Sequence, residues 1–468
     1  MAELSNVFKA YDVRGVVPDE LNATQFRAIG VATARFTGED RLLVARDMRP
    51  SGVELAGAFG LGARSEGVTV VDLGLASTDL LYFAAGSLDA PGAMFTASHN
   101  PARYNGLKLC LSGARPIGRD TGLTEIQATA EALLDEWGST GPPELDPSEL
   151  APIEERSVLP EYAAHVRSFV DTSVLAPLKV VADTANGMGG LIVPAVFEGL
   201  PFDVEILFPE LDGNFPNHPA DPIQPENLVA LRQRVLERGA DIGLAFDGDA
   251  DRVFLVDERA EPVSGSLTTA LVASSMLEKH PGSTVLYNCI CSRVVPEVIA
   301  EKGGVGVRTQ VGHSFIKQVM AETGAVFGGE HSGHYYFRDN YRADSGIIAA
   351  LVVLELMSRA GAALSELLAP FRRYADSGEI NTTVPDPAAT VERLAAEVES
   401  AGGALGTVDR LDGLTVDRGD WWYNVRPSNT EPLLRLNVEA PDAASLKEHV
   451  AEVESAIAGV LDEGDASR

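Results

Sequence analysis

The sequence is short of three things, and each shortage excludes a class of protein. Cysteine comes first: 468 residues hold only Cys110, Cys289 and Cys291. An odd, scattered set builds no disulfide framework, and Cys289-x-Cys291 has no partner pair for a structural zinc site. The three read as small buried residues of a reduced interior. Positive charge is also scarce, with 37 Lys+Arg against 68 Asp+Glu and a formal net charge of −31. Following a phosphate backbone or docking on anionic lipid needs a basic face, so nucleic acid and membrane surfaces drop out as expected partners. Long apolar runs are missing as well. The longest, residues 347–357, is broken by Glu355 and falls far short of the roughly 20 residues that span a bilayer. Met1-Ala-Glu-Leu-Ser-Asn has no basic stretch leading into an apolar one, so the reading is a soluble, cytoplasmic protein without a signal peptide.

What remains is ordinary globular composition, 45% hydrophobic and 22% charged. At about 150 residues per domain the length suggests three or four domains. Strand-like runs (42–45, 68–72, 93–96, 107–111) alternate with helix-like ones (24–36, 52–66), which predicts sheets with helices on both faces. The Pro- and Ser-rich stretch 139–152 reads as a boundary. New β/α units start at 178 and near 261, and from about 373 the pattern changes to a smaller α+β segment. The expected limits are 1–145, 153–257, 258–371 and 372–468.

Four polar loops stand out. In Asp247-Gly-Asp-Ala-Asp-Arg252 three carboxylates follow a strand at alternate positions, and if extended they share one side. Packed together they repel unless a cation lies between them, and oxygen ligands suit Mg²⁺ or Ca²⁺. An EF-hand needs Gly where Arg252 stands, and a strand follows, so a Mg²⁺ site that also holds phosphate fits better. The plain alternative is a solvated acidic turn. Thr96-Ala-Ser-His-Asn-Pro101 places Ser98 at a strand end beside His99, with Lys108 ten positions on. Ser98 is a candidate nucleophile or phosphate carrier, the alternative being a simple Asn-Pro turn; the G-x-S-x-G elbow of a hydrolase is absent. Gly328-Gly-Glu-His-Ser-Gly-His334 puts Glu330, Ser332 and His334 at alternating positions, suited to vicinal sugar hydroxyls. Arg426-Pro-Ser-Asn-Thr-Glu-Pro432 offers a guanidinium, two hydroxyls and loop amides, the makings of a phosphate cradle. Tyr11 and Arg14 in the N-terminal stretch 8–15, and His313 before a helix, are less specific alone.

Together and in this order the blocks A-Y-D-V-R-G, T-A-S-H-N-P, D-G-D-A-D-R, G-E-H-S-G-H and R-P-S-N-T-E-P resemble the α-D-phosphohexomutase superfamily over nearly the whole chain. The resemblance implies three similar α/β/α domains with mixed sheets and a smaller C-terminal α+β domain around a central cleft. It implies that Ser98 is the phosphoserine and that Asp247, Asp249 and Asp251 hold Mg²⁺ with an oxygen of that phosphate. Glu330 and Ser332, with His334 beside them, would bind sugar hydroxyls; Arg426, Ser428, Asn429 and Thr430 would hold the non-reacting phosphate. Tyr11, Arg14, Lys108, Arg252 and His313 would line the reacting end with His99 next to the nucleophile, Lys108 and His313 carrying protons.

The implied chemistry is reversible phosphoryl transfer between the 1- and 6-positions of a hexose phosphate. A hexose 1,6-bisphosphate serves as intermediate and activator, in a monomer or weak dimer. Thr96 and the Ser428-Asn-Thr-Glu-Pro432 loop resemble phosphomannomutases and their bifunctional phosphomannomutase/phosphoglucomutase relatives. The phosphoglucosamine branch usually has Ser, Gln and Ser-Gly-Thr at the places of Thr96, His331 and Ser428-Asn-Thr. Glucose and mannose differ only at C2, so groups that hold the 3- and 4-hydroxyls treat them alike. The competing readings are phosphoglucomutase or phosphoglucosamine mutase as main activity, a Mg²⁺-dependent bisphosphate synthase or phosphatase using the same serine, and a silent phosphosugar-binding protein.

Overall fold

The computed structural model describes residues 4–400, 405–428 and 433–466. Four sheets follow one another along the chain. The first has seven strands. Arg41–Arg46 lies at its centre, parallel to Thr69–Leu75 and Gly92–Phe95, while Tyr104–Leu111 returns antiparallel and pairs with Val13–Val16 at the edge. The second has five strands with Ile242–Phe246 in the middle, parallel to Lys179–Asp183 and antiparallel to Val253–Asp257. The third has four, Thr284–Asn288 lying parallel to Val305–Thr309 and Phe327–Gly329, with Tyr335–Phe337 antiparallel at the edge. These are mixed sheets layered with helices, three α/β/α units as anticipated. The fourth sheet has six strands, all antiparallel, with helices Pro387–Ser400 and Ala443–Ala466 against it.

Sheet pairing adds a short edge strand beside two of the expected limits. Ile153–Glu155 pairs in parallel with Thr69–Leu75 at the edge of the first sheet. Pro262–Val263 pairs with Val253–Asp257 at the edge of the second sheet. The first is a long-range pairing that local composition does not reveal, and the second is a short hairpin whose returning strand has only two residues.

Local chemistry sets the helix ends. Asn22 and Gln25 form a capping box ahead of Ala23–Thr37, and Gly38, at φ 62°, ends that helix in the left-handed region. The apolar run at 347–357 lies in Gly346–Ala360, capped by Ser345 and buried on nearly every face. No single helix among the described residues is long and apolar enough to cross a membrane. One continuous apolar cluster joins the first three units around this helix, whereas the fourth has a separate core.

A polar knot sits inside the shared core. Asp79, at the start of helix Thr78–Ser87, accepts hydrogen bonds from Tyr162 Oη of the second unit (2.5 Å), Ser345 Oγ of the third (2.6 Å) and Ser77 Oγ of its own. Burial pushes its carboxyl up from 3.8 to about 6, the three hydroxyls pulling the other way. The folded state therefore binds this proton more tightly than the unfolded chain does. The stability it contributes is complete below about pH 4 and is lost as pH rises through about 6. Asp79→Asn cannot ionise, so thermal melts should show it gaining on the wild type between pH 4.5 and 7.5, by on the order of 3 kcal/mol at most. A difference that does not vary with pH would show that Asp79 carries no such proton.

Candidate active site

The serine loop and the acidic loop meet because each leaves the end of a buried strand. Gly92–Phe95 delivers Thr96 and Ser98, and Tyr104–Leu111 brings Lys108 back opposite Met94. Ile242–Phe246 delivers Asp247, and the chain turns at once into Val253–Asp257. The three aspartates converge through a tight turn, with Ala250 at φ 60° and its N–H donating to Asp247 O (3.2 Å), not through the extended alternation anticipated from spacing. Their ligand oxygens lie within 4.8 Å of one another, in side chains at most 1% exposed.

Ser98 Oγ donates to Asp247 Oδ2 at 2.7 Å, and Arg252 reaches both, through Nε to Asp247 (3.0 Å) and Nη2 to Ser98 Oγ (3.5 Å). Lys108 Nζ donates to Asp249 Oδ2 (2.9 Å) and Asp251 Oδ2 (2.7 Å). Thr78 Oγ1 donates to the same Asp249 oxygen at 2.6 Å. Burial pushes Asp247 well above the usual carboxylate range. Burial pushes Asp249 the same way, but the Lys108 ammonium and the hydrogen bonds from Thr78 and Lys108 together outweigh it and hold Asp249 low. Burial alone would lower Lys108; Asp249 and Asp251 outweigh it and raise it well above its ordinary value. Lys108 is thus held as an ammonium beside the acidic trio.

The cluster fits a divalent cation. Three carboxylates face two fixed cations, and Asp249 Oδ1 and Asp251 Oδ1 are buried without a hydrogen-bond donor. Orphaned buried carboxylate oxygens are costly, and hard oxygen donors are what Mg²⁺ takes. A phosphate on Ser98 would add a charge of about −2, which a dication offsets.

The other anticipated residues gather around this centre. The stretch 330–334 is a turn closed by Glu330 N–H donating to His334 O (3.0 Å), so Glu330, Ser332 and His334 meet through the turn and not along an extended face. His334 Nδ1 lies 2.9 Å from Ser332 Oγ and 3.6 Å from Glu330, and its Nε2 is 3.9 Å from Asp251. The Glu330 carboxylate is engaged inside the protein. Oε1 accepts from Gly312 N–H and Asn288 Nδ2 (both 3.1 Å), and Oε2 from Tyr336 Oη (2.7 Å). Tyr11 Oη donates to Val311 O at 3.4 Å, and burial pushes its hydroxyl up to about 12. Arg14 Nη1 donates to Asn100 Oδ1 (2.7 Å), bracing the serine loop. His99 Nδ1 lies 3.4 Å from Ser98 Oγ, and burial drives that imidazole well below its usual range, so it is neutral.

His313 opens the helix His313–Thr323. In the fourth unit Arg426 Nη2 donates to Glu379 (2.7 Å), leaving the buried Nε without a partner. Ser428 N–H donates to Leu433 O at 2.8 Å, and Asn429 and Thr430, between these two, lie outside the described residues. Asp412 of the same unit accepts from Val311 N–H (2.9 Å), bringing the fourth unit to the rim.

Several contributors escaped the sequence reading. Thr78 holds Asp249, and Asn288 and Tyr336 hold Glu330. Asp221, within the field of Arg252, has a buried oxygen with no hydrogen-bond partner, and Arg49 lies beneath the serine loop. None belongs to a polar block of its own. The one available signal is a polar residue at or just after a strand end, as in Asp47-Met-Arg49 after Arg41–Arg46.

Comparison with known proteins covers almost the whole chain. The models described as phosphoglucomutase/phosphomannomutase alpha/beta/alpha domains I, II and III match residues 5–135, 160–261 and 264–374, and that of the C-terminal domain matches 379–456. A protein of Xanthomonas campestris pv. campestris named for phosphohexose mutases is 42% identical over 455 residues, 97% of this chain and 99% of that one. A phosphomannomutase of Escherichia coli K12 is 38% identical, covering 94% and 96% of the two. The crystal structure of a phosphoglucomutase/phosphomannomutase family protein from Burkholderia thailandensis superposes with a TM-score of 0.86 at 32% identity, over 98% of each chain. Four domain models in order, and relatives of this identity over this length, make the chain a member of the phosphoglucomutase/phosphomannomutase family.

Proposed function

We propose that the protein is a phosphohexomutase that interconverts mannose 1-phosphate and mannose 6-phosphate, and acts on the glucose phosphates as well. Ser98 carries the phosphoryl group and hexose 1,6-bisphosphate is the intermediate. The observation that carries this reading is Ser98 Oγ at 2.7 Å from Asp247, inside a buried trio of carboxylates faced by Arg252 and Lys108. In the forward step the P–O bond to Ser98 breaks as a P–O bond to the free sugar hydroxyl forms; that hydroxyl's proton is assigned to His313, and the Ser98 oxygen keeps the electron pair of the broken bond as an alkoxide facing Arg252 until the reverse step returns a phosphoryl group to it. The reverse step takes the other phosphate back to Ser98.

Phosphoryl transfer depends on alignment and on spreading the charge of the transferring oxygens. Arg252 supports both, reaching Ser98 and Asp247 at once, while Lys108 stays charged against Asp249 and Asp251. Asp247, Asp249 and Asp251 would hold Mg²⁺, which when bound supplies further positive charge to the phosphoryl oxygens. Ser332 and His334 face the sugar; Arg426 and Ser428, with Asn429 and Thr430, take the distal phosphate. Ser98 is 6% exposed, which favours transfer to a bound sugar over hydrolysis by bulk water and so the mutase over the phosphatase. Three buried free cysteines suit a reducing cytoplasm.

Ser98→Ala should cut mutase turnover by on the order of ten-thousand-fold while calorimetry still detects hexose phosphate binding; near-normal turnover would remove the phosphoserine role. EDTA should abolish activity and added Mg²⁺ restore it, and activity indifferent to chelation would dismiss the metal. With a trace of hexose 1,6-bisphosphate present, kcat/KM for mannose and glucose 1-phosphates should agree within about tenfold and exceed that for glucosamine 1-phosphate. A preference for glucosamine 1-phosphate would reassign the substrate.

A further inference from the structure

We propose that Arg49 is the positioning residue of the phosphoryl-carrying serine. Its guanidinium fixes the backbone of the Ser98 loop in the conformation that aims Oγ at Asp247. The inference rests on Ser98 being the phosphoryl carrier.

A guanidinium has five N–H donors and no acceptor, and burying it requires an acceptor for each. The Arg49 side chain is fully buried and finds all five. Nη2 donates to Ser98 O and Asn100 O (both 2.7 Å), Nη1 to Pro101 O (2.8 Å) and Tyr104 O (2.9 Å), and Nε to Asp47 Oδ2 (3.1 Å). Four of the five are main-chain carbonyls of the loop that leaves Gly92–Phe95 and enters Tyr104–Leu111. Three of them, on Ser98, Asn100 and Pro101, belong to residues outside both strands, so one side chain does for this loop what a neighbouring strand would otherwise do.

The loop needs such a clamp because Ser98 sits at φ 50°, in the left-handed region that costs a non-glycine residue about 1 kcal/mol or more. Both main-chain groups of Ser98 are tied into one ring. Its N–H donates to Thr96 Oγ1 (2.9 Å), the Thr96 hydroxyl hydrogen-bonds to the Asp47 carboxylate, Asp47 pairs with Arg49, and Arg49 returns to Ser98 O. With φ held by this ring, Oγ has Asp247 and Arg252 within reach.

The second unit closes over the same residue. A Cβ at Gly213 would lie 2.5 Å from Arg49 Cα, and one at Gly248 would lie 2.4 Å from Ser98 O. The Phe215 ring covers the guanidinium at 5.3 Å. Arg49 therefore sets the serine loop against the unit that carries the aspartates. Lacking any exposure it touches no substrate, so its effect passes through Ser98. Lysine, with three donors on a compact charge, keeps the pair with Asp47 but cannot reach four carbonyls.

The test uses the full-length protein with hexose 1,6-bisphosphate present. Arg49→Lys should lower kcat about a hundredfold with the KM for mannose 1-phosphate within about twofold of wild type, as expected for a misplaced nucleophile beside an intact sugar site. Gly213→Ala, which presses on Arg49 from the second unit and leaves its side chain in place, should lower kcat about tenfold with the same constant KM, and it decides the matter if Arg49→Lys does not fold. Phe59→Leu, in the core of the first unit, serves as a variant of comparable Tm loss and should keep wild-type kcat. The proposal is overturned if the folded Arg49 or Gly213 variants keep wild-type kcat, if kcat and KM shift together, or if Phe59→Leu loses as much. Ser98→Ala assayed alongside separates the two ideas: an active Ser98→Ala sinks the phosphoserine reading itself, whereas an inactive Ser98→Ala beside a normal Arg49→Lys sinks only this one.

Discussion

Three carboxylates buried within a few ångströms of each other are an electrostatic problem before they are a site. Asp247, Asp249 and Asp251 repel one another in a medium that screens poorly, and the surrounding structure is arranged to tolerate them. Arg252 turns back onto Asp247, Lys108 crosses from the first sheet to Asp249 and Asp251, and Thr78 adds a hydroxyl. The serine is held next to a carboxyl that burial keeps high, and the two oxygens left over point to a cation. Breaking one of these pairs would leave an uncompensated buried charge, which is why first- and second-unit residues here depend on each other so strongly.

Much of this was legible in the sequence, and the reasons differ from residue to residue. Asp247, Asp249, Asp251, Ser98, Glu330 and Arg426 sit in short polar blocks after apolar runs, and such blocks announce themselves. The geometry inside the blocks was less legible. Alternation suggested that the aspartates and the 330–334 residues converge along extended chain, but turns do the work, with Ala250 in the left-handed region. Spacing counts residues and is blind to the sign of φ.

Charge states were less legible still. Lys108 and His99 looked alike as polar neighbours of a serine, yet two carboxylates hold Lys108 charged while burial keeps His99 neutral. Such differences arise from partners more than a hundred residues away. Helices and strands with strong periodicity appeared near their expected places, whereas the edge strands Ile153–Glu155 and Pro262–Val263 did not, because a two- or three-residue strand is defined by its neighbour. Residues such as Asn288, Tyr336 and Arg49 show the same limit, being isolated polar positions that gain meaning only from what folds over them.

The division of the apolar interior has one more consequence. Where the third and fourth units meet, the recorded contacts are largely polar: Arg293 with Asp417 and Glu439, Gln310 with Leu411 O, Val311 with Asp412. Of these only the Arg293–Asp417 contact lies at the surface and the rest are half-buried, and they join the fourth unit to the third without a shared apolar cluster. The C-terminal unit is therefore fastened by directional polar bonds and the first three units to one another by apolar burial, two kinds of joint on which salt and temperature act differently.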